Sequence, residues 1–189
     1  MPSYAEIVRS LQGAWLLAKG DPRGLDLFDL SLEGFWRSFA AALLVAPAYA
    51  LVLLEQYAVT GWPQHVPGTI AAELVAYVCG WIAFPIAAIF LTRILHLTRR
   101  YVPLVVAGNW SAALQIGLYA VVVVASLVLP REMRSVLLLT ATIAVLAYQW
   151  FVIRTALETS GGIAFGLVVI DVLLSMTVSR VIDGVLQPS

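Results

Sequence analysis

Apolar residues in this 189-residue chain are gathered into long blocks rather than alternating with polar ones. Four stretches carry no charge: Ser38–Leu54, Leu74–Thr92, Tyr101–Pro130 and Ser135–Ile153. A fifth, Thr159–Ser179, is broken only by Asp171. A helix of roughly 20 mostly apolar residues crosses about 30 Å of hydrocarbon. The pattern therefore predicts five transmembrane helices, near 35–57, 72–93, 106–129, 135–153 and 160–180. The third block is too long for one untilted crossing. Pro103 and the run Asn109-Trp110-Ser111 put its beginning in the membrane interface.

A different pattern precedes the first span. Tyr4, Ile7, Val8, Leu11, Ala14, Trp15 and Ala18 recur at helical spacing. Ser3 followed by Glu6 has capping-box spacing, and Gly20 then Pro22 supplies a stop. This predicts an amphipathic helix that either lies in the lipid interface, anchored by Trp15, or docks on the spans. An acidic connector follows over 21–33, and Ser31 is placed to cap span one. The expected fold class is all-α: a polytopic membrane helix bundle of five spans with an N-terminal cytoplasmic amphipathic helix. The expected organisation is 1–34 for the helix and connector, 35–182 for the five-span domain and 183–189 for an outer tail.

Composition narrows the function classes. The chain is 61% hydrophobic and 12% charged, against roughly 25% charged in soluble domains. That excludes a soluble domain and a disordered tail. The net charge is zero, so nucleic acid is not an expected partner. The charges are nevertheless one-sided. Arg9, Lys19, Arg23, Arg37, Arg93, Arg99, Arg100 and Arg154 fall on the N-terminal side of the predicted topology, and only Arg131, Arg134 and Arg180 on the other. By the positive-inside rule the N-terminus is cytoplasmic and the C-terminus outside, as in a bacterial inner membrane. Trp36, Tyr101, Trp110, Tyr148 and Trp150 fit an inner aromatic belt, Tyr57 and Trp62 an outer one. The first 19 residues lack the pattern of a signal peptide, so span one is expected to be an uncleaved anchor.

The candidate chemistry is sparse. Asp171 falls near the bilayer midplane, where an Asp costs about 2.5–3.5 kcal/mol even on the mild insertion scale. Ser175 and Ser179 follow at i+4 and i+8, Gln115 on span three is a plausible hydrogen-bond partner, and Gly162 and Gly166 form a small-residue pair on another face. This intramembrane polar site reads either as a proton- or ion-linked group or as interhelical hydrogen-bonding glue. Glu55 and Glu73 form an outer acidic pair at the ends of spans one and two. They read as carboxylates reaching water, neutralised by Arg131 or Arg134, or as a cation site beside His65. Arg93, His96 and Arg100 fall at i, i+3 and i+7 on one helix face, with Arg99 beside them. They form a patch for anionic lipid headgroups or an acidic partner, unless they follow topology alone or pair with the acidic connector. Pro47 and Pro85 kink spans one and two at similar depth. Cys79 is a lone thiol read as a buried hydrophobe. No catalytic motif, metal-ligand spacing or cofactor loop is present in the sequence, so neither an enzyme nor a cofactor is expected.

Two short stretches carry a resemblance. Asp29-Leu30-Ser31-Leu32-Glu33-Gly34-Phe35, leading into span one, keeps the Asp-Leu and Gly of an Asp-Leu-Tyr-Gly-Pro type motif but lacks its Tyr and Pro. Gly117-Leu118-Tyr119 loosely matches a Gly-Tyr element of span three. With five spans and an N-terminal cytoplasmic segment, the chain resembles the Yip family of membrane proteins, which in eukaryotes interact with Rab GTPases. The resemblance covers most of the chain as topology and little of it as motif, and no binding residue carries over. It implies a non-enzymatic organiser of membranes with a lipid, protein or self-association partner. The alternative is a small proton- or ion-linked transporter, or a subunit of one, using Asp171 and expected to dimerise.

Overall fold

The computed structural model describes residues 1–62 and 66–186. Its elements are α1 (Tyr4–Ala18), a 3-10 turn (Pro22–Leu27), α2 (Leu32–Ser38), α3 (Ala40–Thr60) and α4 (Val66–Ile94). A second 3-10 turn (Thr98–Arg100), α5 (Tyr101–Ser126), α6 (Arg131–Leu157) and α7 (Gly161–Leu186) complete the chain. Among the described residues there is no strand. Five helical segments, 32–60, 66–94, 98–126, 133–157 and 161–181, are long and apolar enough to cross a membrane. The protein is an all-α bundle of membrane-spanning helices. His65 and residues 187–189 of the expected tail lie outside the described residues.

Helix α5 is the centre of the bundle and packs against α3, α6, α1 and α2. Leu104, Val105, Val106, Ala107, Trp110 and Ala113 are all buried along it. This corrects the expected start of span three. The helix begins at Tyr101, and Pro103 sits in its first turn, where no backbone hydrogen bond is lost. The Asn109-Trp110-Ser111 run is core, not interface. Asn109 Nδ2 donates to Ser38 Oγ at 2.9 Å, and Trp110 is only 2% exposed, which removes it from the aromatic belt.

Helix α1 docks on the bundle through its apolar face. Ala14 and Leu17 are buried, and the Tyr148 hydroxyl donates to the Ala14 carbonyl at 2.7 Å. Of the two sequence alternatives, this is docking on the spans. Trp15 stays half-exposed beneath the Lys19 ammonium. Ser3 Oγ caps the helix by accepting from the Glu6 amide, and Gly20 ends it at φ +77. The following turn crosses α1 at two glycines. A Cβ on Gly24 would lie 2.4 Å from the Gly13 carbonyl oxygen, and one on Gly13 would lie 2.7 Å from the Gly24 oxygen. Only glycine permits so close an approach of two backbones.

Two further helices stop in the same way but on other residues. His96 (φ 57) ends α4, with the Leu97 amide donating to the Thr92 carbonyl and the His96 amide to that of Arg93. Glu158 (φ 49) ends α6, with the Thr159 amide donating to the Arg154 carbonyl. Both are Schellman-type terminations with a left-handed residue that is not glycine.

Candidate functional site

Asp171 lies ten residues into α7, about 15 Å along it at 1.5 Å per residue. Gln149 lies eight residues before the end of α6, about 12 Å from the same end of the bundle. Their heights match because α6 and α7 form a hairpin joined by residues 158–160. The Gln149 amide donates to Asp171 Oδ2. The partner of Asp171 is therefore Gln149, not Gln115. Gly162 and Gly166 do not make the expected tight helix crossing, since a Cβ on either would meet nothing within 4 Å.

Asp171 also lines a partly open cavity of about 370 Å³ bounded by side chains of α3 to α7. Its polar wall carries Asn109, Ser111, Gln115, Gln149, Ser175 and Ser179 beside the carboxylate. Gln115 and Ser175 thus share a surface with Asp171 without being bonded to it. Pro85 is buried in the same lining, and its carbonyl accepts from the Tyr101 hydroxyl at 3.3 Å. Pro47 lies within unbroken α3 and is exposed, away from this lining.

The outer acidic pair separates. Glu73 accepts from the Tyr57 hydroxyl at 2.5 Å and from the Tyr49 hydroxyl at 3.3 Å, linking α4 to α3. Glu55 is half-buried on α3, and among the described residues no hydrogen bond ties it to Glu73. Arg134 Nε donates to the Ser126 carbonyl at 3.1 Å, closing the end of α5. The side chain of Arg131 is outside the description.

Arg93, His96, Arg99 and Arg100 do not share a helix face, because α4 stops at Ile94 and the chain reverses at His96. They surround the turn between α4 and α5, with Arg93, His96 and Arg99 exposed. Arg100 is ion-paired with Glu158 across to α6. The acidic connector does not pair with this turn. Its Asp29 binds the Arg37 guanidinium at 2.5 Å, and Arg37 also meets Glu6 at 3.0 Å and Glu33 at 3.5 Å. Asp29 Oδ1 accepts from the Ser31 amide at 2.9 Å. Bonding to Ser31, reinforced by Arg37, holds the Asp29 carboxyl below the ordinary aspartate range. Gly34 lies directly against the Asp29 backbone, where a Cβ would stand 2.0 Å from the carbonyl oxygen. The Asp and Gly leading into span one are thus explained by a tight turn.

Cys79 is half-buried on α4. Among the described residues no group of three or more His, Cys, Asp or Glu side chains is placed to hold a metal ion. No protein-family model, no curated protein and no solved structure matches this chain.

Proposed function

We propose that the chain is a small transport protein, or the membrane subunit of one, that takes a solute into the cavity between its spans and couples it to protons or ions through Asp171. One observation carries this reading: a cavity of about 370 Å³ with a polar wall and a carboxylate at mid-span height. Ligand sites commonly measure roughly 300–1,000 Å³. An ionisable residue facing a cavity inside a span is by default a functional one. On the distribution of Lys and Arg we place the N-terminus in the cytoplasm of a bacterial inner membrane.

The test is proton movement in liposomes carrying the full chain and an internal pH dye. A panel of cationic, neutral and anionic solutes of about ten non-hydrogen atoms is added across an imposed gradient. At least one is expected to move protons faster than in protein-free liposomes, and Asp171→Asn to abolish the difference. Equal traces for the variant and the parent would remove Asp171 from the mechanism.

A second reading, membrane organisation in the manner of the Yip family, is favoured by the exposed basic turn. Arg93, His96 and Arg99 stand at the end where α1 docks and fit anionic headgroups or an acidic partner. It predicts that liposomes carrying the full chain tether added phosphatidylglycerol vesicles, and that the tethering weakens when Arg93 and Arg99 become Gln.

A further inference from the structure

The cavity has two unlike walls. Helices α3 and α4 contribute four rings, Tyr49, Tyr77, Trp81 and Phe84. Tyr49 and Tyr77 lie 4.7 Å apart between centroids, and Tyr77 and Trp81 6.2 Å. The two tyrosine hydroxyls are engaged outside the lining, Tyr77 on the Ala42 carbonyl and Tyr49 on Glu73. What these residues offer the cavity is therefore aromatic surface.

The rest of the lining holds a single carboxyl group. Among the described residues Asp171 is the one carboxylate lining the cavity, and no Lys, Arg or His lines it. Gln149 occupies Asp171 Oδ2, while Oδ1 has no hydrogen-bond partner among the described residues. A cation brought to the open oxygen of such a carboxyl group favours its ionised form and pairs with it. Aromatic faces attract cations as well.

We propose that the cavity takes a small organic cation, with an ammonium head on Asp171 Oδ1 and its apolar body against Tyr77 and Trp81. This rests on the solute-binding reading above and names the class of solute. An anion finds no positive partner here and meets an aspartate. A neutral solute leaves Oδ1 without a counter-charge. A bare hard cation wants six or more oxygen ligands gathered around it, and among the described residues the oxygens of this cavity include only one carboxylate, with no group of three or more His, Cys, Asp or Glu placed to hold a metal ion.

The test uses the full chain in lipid nanodiscs, with empty nanodiscs subtracted, and three probes of one shape: benzylamine, benzyl alcohol and benzoate. Calorimetry at pH 7 is expected to show benzylamine binding about tenfold tighter than either of the others. Asp171→Asn is expected to lose about tenfold, while Asp171→Glu, which keeps the charge, retains part of the affinity. Trp81→Leu weakens binding several-fold, and Trp81→Phe less, because a ring remains. Retention of the helical circular dichroism signal separates a lost site from a lost fold. Benzyl alcohol binding as tightly as benzylamine, or benzylamine binding unchanged in Asp171→Asn, would overturn the cation assignment. The solute-binding reading survives that outcome if Asp171-dependent proton movement persists in liposomes. No binding of any probe, with that proton movement also absent, sinks both.

Discussion

Gly24 and Gly108 mark two regions built on different terms. A Cβ at Gly24 would strike the Gly13 backbone oxygen at 2.4 Å, whereas one at Gly108 would meet nothing within 4 Å. Around Gly24, helix α1, the turn after it, α2 and one face of the first half of α5 are closely packed, and Arg37 of α2 is ion-paired to Glu6 and Asp29. Around Gly108 the wall of α5 faces open space shared with α4 and α7. Helix α4 shows the same looseness: Ala72, Pro85, Ala88 and Thr92 are its buried residues along 29 positions. In the first region glycine lets two backbones touch. In the second it keeps a volume clear. The same residue type therefore signals contact at one end of the bundle and vacancy in its middle, and only its neighbours tell which.

The contrast can be broken by substitution. Gly24→Leu should have the largest effect, destabilising the docked α1 by about 3 kcal/mol, because backbone lies in the way and overpacking cannot relax. Amide hydrogen exchange along α1, together with tryptic cleavage after Lys19 and Arg23, reports the undocking. Arg37→Ala should follow at about 2 kcal/mol, since it strips Glu6 and Asp29 of one shared cation. The same exchange measurement reads it. Tyr148→Phe removes the hydroxyl that donates to Ala14 and bonds to Ser111, and should cost about 1 kcal/mol in thermal unfolding in micelles.

Acid provides a gentler version of the same experiment. The folded Asp29 carboxyl titrates below its ordinary range. Its contribution is therefore fully present above about pH 3.9, the unfolded value, and is lost as pH falls through the depressed folded value. Protection of α1 should stay flat down to about pH 4 and then decline, and Asp29→Asn should reduce that decline. Gly108→Leu should shift stability least, by under about 1 kcal/mol, because a helical glycine is replaced by a better helix former that has room. The same change fills the cavity, so solute-dependent proton movement should disappear while the melting curve hardly moves.

Much of the scaffold is legible in the chain because it depends on long-range hydropathy and on local capping. The five apolar helices, the Ser3 cap, the Gly20 stop and the Ser31 cap of α2 all follow from spacing alone. The terminations at His96 and Glu158 do not, since neither is a glycine and nothing local forces a left-handed residue there. The surroundings of Asp171 were half visible. A central Asp breaks an apolar pattern and draws attention, but Gln149 is uncharged and passes unnoticed in a span. A search for amides inside spans would have flagged Asn109, Gln115 and Gln149, with Gln56 near the end of the first span beside them. The coupling of Glu73 to Tyr49 and Tyr57 was hidden for another reason. Tyrosine in a span reads as an apolar or belt residue until a carboxylate is found within reach of its hydroxyl.

The α6–α7 hairpin bears on how the protein is assembled. Gln149 and Asp171 are 22 positions apart on consecutive spans joined by residues 158–160. Two such spans can enter lipid together, so the carboxylate arrives already bonded to an amide instead of facing acyl chains alone. A lone central Asp opposes insertion by about 2.5–3.5 kcal/mol. Pairing within the hairpin reduces that barrier before any other helix is in place. The feature that equips the cavity is thus expected to ease insertion of span five as well, and a Gln149→Leu chain should show it as poorer membrane integration.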